Sequence, residues 1–202
     1  MVLTKEELSG LERRYRANLI NSIGGFKSLV LVGTKSIEGK QNLSLFSSLV
    51  HIGADPALCG LVVRPNTEGQ NTLGNILRTG VYTINHVHAE FIEKAHQTSA
   101  KYPEGVNEFE AVGLTPDYME GVAAPFVKES IIHFACELVQ RIPIEFNQTH
   151  FIIGKITKVM VPDSLVGQDG FIDLESAGTI TCSGLDSYHT TKRLIRLPYA
   201  KP

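Results

Sequence analysis

One stretch, residues 32–85, constrains the fold of this chain most, because strand patterns alternate in it with turns rich in glycine and asparagine. Residues 29–32 predict a strand that breaks at residues 33–35. Residues 36–40 turn the chain, since a glycine among them can adopt positive φ. Residues 41–48 form the returning arm of a hairpin, in which apolar side chains alternate with short hydroxyls and amides. We expect this arm to have one apolar and one polar face.

A second strand and a short helix follow the hairpin. Asp55-Pro56 predicts a turn, residues 58–63 a buried strand, and Arg64 its end. The loop after Arg64 leads into a helix that Asn71 or Thr72 can cap and that Gly80 can end in the left-handed region. The apolar stripe of this helix consists of Leu73, Ile76 and Leu77.

Polar groups at one end of these elements suit a phosphate or a polyol. They are the Arg64 guanidinium at a strand end, backbone N–H groups at a helix start, and the hydroxyls of Ser44, Ser47, Thr67 and Thr72. The same residue types also populate ordinary turns. The spacing alone therefore fits an anion site and a plain loop equally well.

Two long strands indicate how the sheet is built. Residues 130–142 and 150–161 alternate as antiparallel strands around a turn near residues 143–148, and Gly154 indicates a bulge where the sheet curls. Repeated hairpins of this spacing predict a mainly β protein with an antiparallel barrel and not a doubly wound parallel sheet. Because no Gly-x-Gly-x-x-Gly or Walker loop occurs, any nicotinamide cofactor binds in a manner other than that of a Rossmann fold.

A few helices are expected around the barrel. Residues 4–18 form an amphipathic helix that begins with a capping box and packs against the barrel. Residues 89–99 form a second helix. Residues 108–112 form a short one inside an irregular excursion over residues 100–125, and a loop of that length is usually functional or packs on a partner.

The C-terminal part holds a last strand over residues 179–182 and a flexible loop over residues 184–191. That loop presents Tyr188 and His189. Residues 192–202 form a tail with a small basic cluster.

Size and charge exclude several classes of protein. A chain of 202 residues fits one domain over residues 1–202. Nineteen basic and 21 acidic residues give a net charge of -2, which supports neither nucleic-acid nor anionic-membrane binding.

Three scattered cysteines argue against a disulfide framework or structural zinc, and His86 with His88 lack a third metal ligand nearby. With no signal peptide and no membrane-length apolar run, we expect a cytoplasmic protein.

The order of several motifs resembles the flavin reductase-like family of FMN-binding split barrels, which are Greek-key antiparallel barrels, and in particular its flavoredoxin-like branch. The resemblance covers roughly residues 20–190. The motifs are Gly33-Thr34-Lys35, Asn42-Leu43-Ser44-x-Phe46-Ser47, Asp55-Pro56, Arg64-Pro65, Thr72-x-x-Asn75-Ile76-x-x-Thr79-Gly80, Tyr82-Thr83-Ile84-Asn85, residues 107–116, residues 124–130 and residues 184–188.

The resemblance implies FMN as cofactor. Arg64, Ser47 and Thr72 then bind its phosphate, with Ser44 or Asn75 as helpers. The isoalloxazine ring is lined through main-chain contacts by Thr34, Lys35, Asn42 and Leu43. Lys35 favours the reduced, anionic ring, and the family places a tyrosine near the flavin at the position of Tyr188.

The resemblance also implies an oxidoreductase, either an NAD(P)H:flavin reductase or a flavoredoxin-like electron carrier. Hydride transfer between two stacked rings needs few side chains, so no catalytic residue is assigned. A homodimer in which each subunit completes the other's flavin site is expected. The alternatives are a flavin-binding or storage module without turnover, and a barrel without cofactor that acts through protein contacts.

Overall fold

A seven-stranded antiparallel sheet forms the centre of the fold. The computed structural model of the chain describes residues 1–64, 72–103 and 105–201. Within them the strands are β1 Lys27–Ser28, β2 Val30–Lys35, β3 Gln41–Phe46, β4 Val50–Ala54, β5 Ala57–Val63, β6 Val81–His86, β7 Pro116–Asp117, β8 Phe126–Val127, β9 His133–Ile144, β10 Thr149–Met160, β11 Ile180–Ser183 and β12 Ser187–Thr190. The helices are α1 Lys5–Gly10, α2 Arg13–Ile23, α3 Thr72–Thr79, α4 Ile92–Gln97 and α5 Glu108–Val112, with single 3-10 turns at Ala89–Phe91 and Asp163–Leu165.

The central sheet has the order β3-β2-β6-β9-β10-β5-β4, and every neighbouring pair in it is antiparallel. β1, β11 and β12 form a second, three-stranded sheet, and β7 pairs with β8. β3 and β4 are the two edge strands of the central sheet. The expected mainly β, antiparallel split-barrel fold with a few peripheral helices is confirmed.

Both faces of β2 are buried, so this strand joins the two halves of the core. Leu31 packs in one cluster with Phe109, beneath α4 and α5. Val30 and Val32 point the other way, into a cluster that includes Ile76 of α3. Fully burying such a side chain contributes roughly 1.5–3 kcal/mol. Burial on both faces explains why residues 29–32 form a continuous apolar run.

β2 does not break at residues 33–35 as the sequence predicted, but continues to Lys35. Gly33 lies inside the strand. A glycine is needed at this position because a Cβ there would clash with the Pro125 carbonyl and the Thr83 hydroxyl. Thr83 Oγ1 donates a hydrogen bond to that same carbonyl at 2.6 Å. The glycine therefore marks the point where the 116–127 segment packs onto the sheet.

The expected single helix over residues 4–18 is wrong, because the chain forms α1 and α2 there. The predicted capping box of Thr4 and Glu7 is present at the start of α1. Leu11 then takes an extended conformation, and the Glu12 carboxylate caps α2 by accepting the Arg14 and Tyr15 N–H groups. The cap at Glu12, eight residues after the cap at Thr4, divides into two helices a segment whose apolar periodicity predicts one. Neither helix contains a fully buried residue.

Other predicted elements are confirmed with different ends. α3 ends before Gly80, which has a φ of 72°, but Leu77 is exposed and does not belong to the apolar stripe. The register of β10 against β9 shifts at Gly154, the predicted bulge, where a Cβ would clash with the Tyr82 hydroxyl. Pro143 lies within β9 and not in the following turn.

Several strands had no counterpart in the sequence prediction, among them β4 and β12. β4 pairs with β5 across the Asp55-Pro56 turn. β12 pairs with β11, so the expected flexible loop over residues 184–191 is a β-hairpin. The loop over residues 65–71, including the candidate Thr67 hydroxyl and the Asn71 cap, lies outside the described residues.

Candidate functional site

A cavity of about 540 Å³ lies between the central sheet and the three-stranded sheet. The edge strand β3, the end of β5 and the start of α3 form one side, and residues 98–102 and the β11–β12 turn form the other. Four residues that the sequence proposed for phosphate binding line this one cavity: Ser44, Ser47, Arg64 and Thr72. The fold therefore brings together groups that are up to 28 positions apart in the chain.

Local structure explains how these four side chains reach the cavity. β3 alternates, so Ser44 faces away from its buried neighbour Leu43. Arg64 follows directly after β5, and Thr72 is the first residue of α3, where backbone N–H groups have no partner within the helix.

Apolar residues complete the cavity wall. Leu45, Phe46, Val63 and Leu73 contribute side chains to it. Apolar wall segments beside convergent polar groups are typical of a site for a small molecule or cofactor.

Positive charge predominates among the charged side chains that line the cavity. Lys27, Arg64 and Lys101 carry three cations, and Glu108 carries the one carboxylate of the described lining. The Lys27 ammonium donates to the Gly184 carbonyl at 2.8 Å, which ties β1 to the β11–β12 turn. In the described parts of the chain no carboxylate pairs with Arg64 or Lys101. The cavity therefore favours an anion.

Glu108 is a cavity residue that the sequence analysis missed as a site residue. It begins α5, is only 7% exposed, and its Oε2 atom accepts the Leu43 N–H at 3.2 Å. Burial raises the pKa of this carboxyl above its usual value of 4.5, and hydrogen bonds to backbone N–H groups oppose the rise. The only signal in the sequence was the position of α5 in a long excursion, because Leu43 and Glu108 are 65 residues apart.

Three other proposed residues, Thr34, Asn42 and Asn75, lie behind the cavity wall and are buried. The Asn42 amide donates to Thr34 Oγ1 at 3.2 Å and to Thr72 Oγ1 at 2.9 Å. The Asn75 amide donates to Thr34 Oγ1 at 3.1 Å, and the Thr72 hydroxyl donates to Ser44 Oγ at 3.2 Å. We call this chain of hydrogen bonds the polar relay; it connects the sheet interior to the cavity wall.

The remaining proposed residues lie elsewhere. Lys35 is at the far end of β2, with its ammonium 4.9 Å from the centre of the Tyr118 ring. Leu43 is buried in the core, and its N–H bonds Glu108. Tyr188 is on β12, where its hydroxyl lies 2.5 Å from His96 Nδ1. Neither Lys35 nor Tyr188 is among the described lining residues.

The histidines at the ends of β6 and β9 are separate from this cavity. His86 Nδ1 lies 3.3 Å from Thr179 Oγ1, and the ring of His133 packs near Phe126. His88 precedes the Ala89–Phe91 turn without a side-chain capping bond. Within residues 1–64, 72–103 and 105–201 no group of three potential metal ligands occurs.

An open antiparallel barrel with a cation-lined cavity at the strand edge defines a class of small-molecule-binding β proteins. Residues 24–173 match the family model described as flavin reductase like domain, and the chain belongs to this family. Membership supports a flavin cofactor and an oxidoreductase function related to flavin.

Individual relatives are similar to this chain over most of its length. A protein of uncharacterised function from Aquifex aeolicus is 31% identical over 146 residues, which cover 71% of this chain and 74% of that protein. The chain is also similar to the crystal structure of a candidate flavin reductase with a split barrel domain from Shewanella frigidimarina. That similarity has a TM-score of 0.95 and 49% identity, and it covers 99% of this chain and 100% of the other.

The flavoredoxin of Desulfovibrio vulgaris shares the fold with a TM-score of 0.75 and 22% identity, over 87% of this chain and 92% of that one.

Among the helices of the described residues, none is long and apolar enough to cross a membrane.

Proposed function

We propose that this protein is an FMN-dependent oxidoreductase, acting as an NAD(P)H:flavin reductase or as a flavoredoxin-like electron carrier. The observation that carries the proposal is the convergence of Ser44, Ser47, Arg64 and Thr72 on one cavity in a chain of the flavin reductase-like family. We further propose that residues 1–202 act as a single domain in the cytoplasm.

The donor set of the cavity fits a phosphate monoester. A guanidinium binds two phosphate oxygens through parallel N–H bonds, and hydroxyls and helix-start N–H groups satisfy the remaining lone pairs. The apolar wall of Leu45, Phe46, Val63 and Leu73 suits a planar ring system. When bound, FMN supplies the electron-accepting ring, while the residues of this chain bind, orient and shield it.

The outer face of the sheet supports a homodimer with the flavin at the subunit interface. Val62, Phe151 and Ile142 lie directly opposite one another on β5, β10 and β9. Ile52 extends this apolar surface on β4 and is 40% exposed. Val62 also lines the cavity, so the apolar face and the candidate site are continuous. A second copy packed on this face would cover the side of the cavity next to Val62.

The redox test uses the purified protein after it has been loaded with FMN. We expect a yellow protein whose visible absorption bleaches when NADH or NADPH is added without oxygen. Failure to bleach with either nucleotide, although dithionite bleaches the same sample, would contradict reductase activity. A reduced low-potential protein donor would then distinguish the two remaining functions, because it should reduce the flavin of an electron carrier and not that of a storage protein.

A protein that binds no FMN during refolding or reconstitution would contradict the whole proposal. The possibility of a barrel without cofactor would then stand.

A further inference from the structure

We infer that Asn42 is a positioning residue: through Thr72 it directs the Ser44 hydroxyl to donate its proton into the cavity, which makes this wall selective for an anion. This inference rests on the proposed function. Asn42 does not line the cavity and acts through the polar relay.

The first step follows from the Asn42 amide. Its Nδ2 atom donates to both Thr34 Oγ1 and Thr72 Oγ1, so both N–H groups are used on hydroxyl oxygens. Thr34 Oγ1 also receives the Asn75 amide, which holds the far end of the relay in place. All of these groups are buried, where an unpaired polar atom is costly.

The second step follows from the number of protons on a hydroxyl. A threonine or serine hydroxyl has one proton to donate and lone pairs to accept. Because Thr72 accepts from Asn42, its own proton is free for Ser44 Oγ, 3.2 Å away. Ser44 accepts that bond, so its proton is the free end of the relay. Ser44 lines the cavity, and its proton therefore faces whatever binds there.

The chemical consequence is a preference for an acceptor. A hydroxyl that has already accepted a bond donates more strongly, because hydrogen bonds in a chain polarise one another. A phosphate oxygen is an acceptor only, and its bond with such a donor is charge-assisted. The relay thus adds anion selectivity that Arg64 alone does not explain.

The test is a double-mutant cycle on Asn42 and Ser44. Asn42→Leu removes both amide donors without adding charge, so the Ser44 proton can turn back toward Thr72. Ser44→Ala removes the donor itself. The measured quantity is the ratio of the riboflavin Kd to the FMN Kd, because these ligands differ only in the phosphate.

We expect each single variant to lower this ratio about tenfold, the effect of losing one hydrogen bond to a charged group. The double variant should lower it no further, because both changes remove the same donor. Riboflavin affinity itself should change less than twofold.

Additive effects in the cycle, or an unchanged ratio in a folded Asn42→Leu protein, would overturn the inference and leave Asn42 a purely structural residue. The uncharged Asn42→Ala variant also removes both amide donors and gives a second route if Asn42→Leu does not fold; it should show the same non-additivity with Ser44→Ala. Thr79→Val is the matched control, since the Thr79 hydroxyl bonds the backbone of Asn75 and Val81 and no side chain of the relay.

The failure of the proposed function can be distinguished. If the wild-type protein binds neither riboflavin nor FMN, the FMN proposal fails. The same cycle is then measured with inorganic phosphate by 31P NMR, and phosphate binding with additive effects would contradict the relay itself.

Discussion

Individual side chains set the chemistry of the cavity, and Arg64 is the one guanidinium among its described lining residues. The phosphate-binding role that we propose for Arg64 depends on geometry as well as on charge, because lysine cannot form the two parallel bonds that arginine makes with a phosphate. Glu108 has the opposite effect, since a buried carboxylate in the same cavity disfavours a second anion near it.

Arg64→Ala should weaken FMN binding by roughly 10- to 150-fold, the range expected for losing a hydrogen-bonded charge. Riboflavin, which has no phosphate, should bind almost unchanged. Equilibrium dialysis with fluorescence detection measures both affinities. The control is Arg78→Ala, which removes the same charge from the exposed part of α3. Equal FMN affinity in Arg64→Ala and wild-type protein would remove Arg64 from the phosphate site.

Strands and helices show which parts of this structure local sequence determines. The β2–β3 hairpin was predictable because alternation and a glycine with positive φ act within a dozen residues. The end of α3 at Gly80 and the bulge at Gly154 follow from the same kind of local rule. The break between α1 and α2 was missed, since the Glu12 cap competes with a helical period that continues through it.

The arrangement of the candidate site was only partly predictable. Sequence identified the cavity residues Ser44, Ser47, Arg64 and Thr72 by type and by resemblance. It could not distinguish a residue that lines the cavity from one behind it, such as Asn42, because that difference depends on α3 packing against β3 across 30 residues. The contact of Glu108 with Leu43 is likewise tertiary and has no local pattern.

The joint between β6 and β9 makes stability depend on pH. His86 ends β6 and His133 begins β9, and both are buried or nearly so. Burial, with the neighbouring His133, lowers the pKa of His86 from 6.5 to about 4. Burial also lowers the pKa of His133. Because the unfolded chain binds protons more readily, stability is complete above pH 6.5 and is lost as the pH falls toward 4.

Between these values the free energy of unfolding should fall by up to about 1.4 kcal/mol per pH unit through His86. Urea unfolding at several pH values measures the slope. His86→Asn should reduce the slope by about one proton, whereas the exposed His51→Asn serves as the control. Parallel curves for wild-type and His86→Asn protein would show that His86 is not the group responsible.

The assembled protein is expected to be a homodimer, because the outer sheet face of Ile52, Val62, Ile142 and Phe151 is apolar and partly exposed. Monomeric proteins seldom expose a continuous apolar surface of this kind. A two-fold axis would bring this face of one subunit against the same face of the other, so one substitution would change the interface at two places.

Ile142→Asp should therefore convert the dimer to a monomer and reduce FMN retention at the same time. Because Ile142 does not line the cavity itself, the loss of FMN would come from the loss of the partner subunit. Sedimentation velocity reports the mass, and the ratio of flavin to protein absorbance reports retention. Ile37→Asp, on an apolar residue that is 69% exposed in the β2–β3 turn, is the control. A monomeric wild-type protein with full flavin content would contradict the shared site.

The position of the cavity between two separate sheets has a mechanical consequence. Lys27 and the Gly184 turn belong to the three-stranded sheet, whereas Ser44 lies in the seven-stranded one and Arg64 directly follows its strand β5. A single ligand bound to both sheets would oppose any movement that separates one sheet from the other. Amide hydrogens of β1, β11 and β12 should then exchange with solvent more slowly once the ligand is bound, although no residue of these strands changes its own pairing.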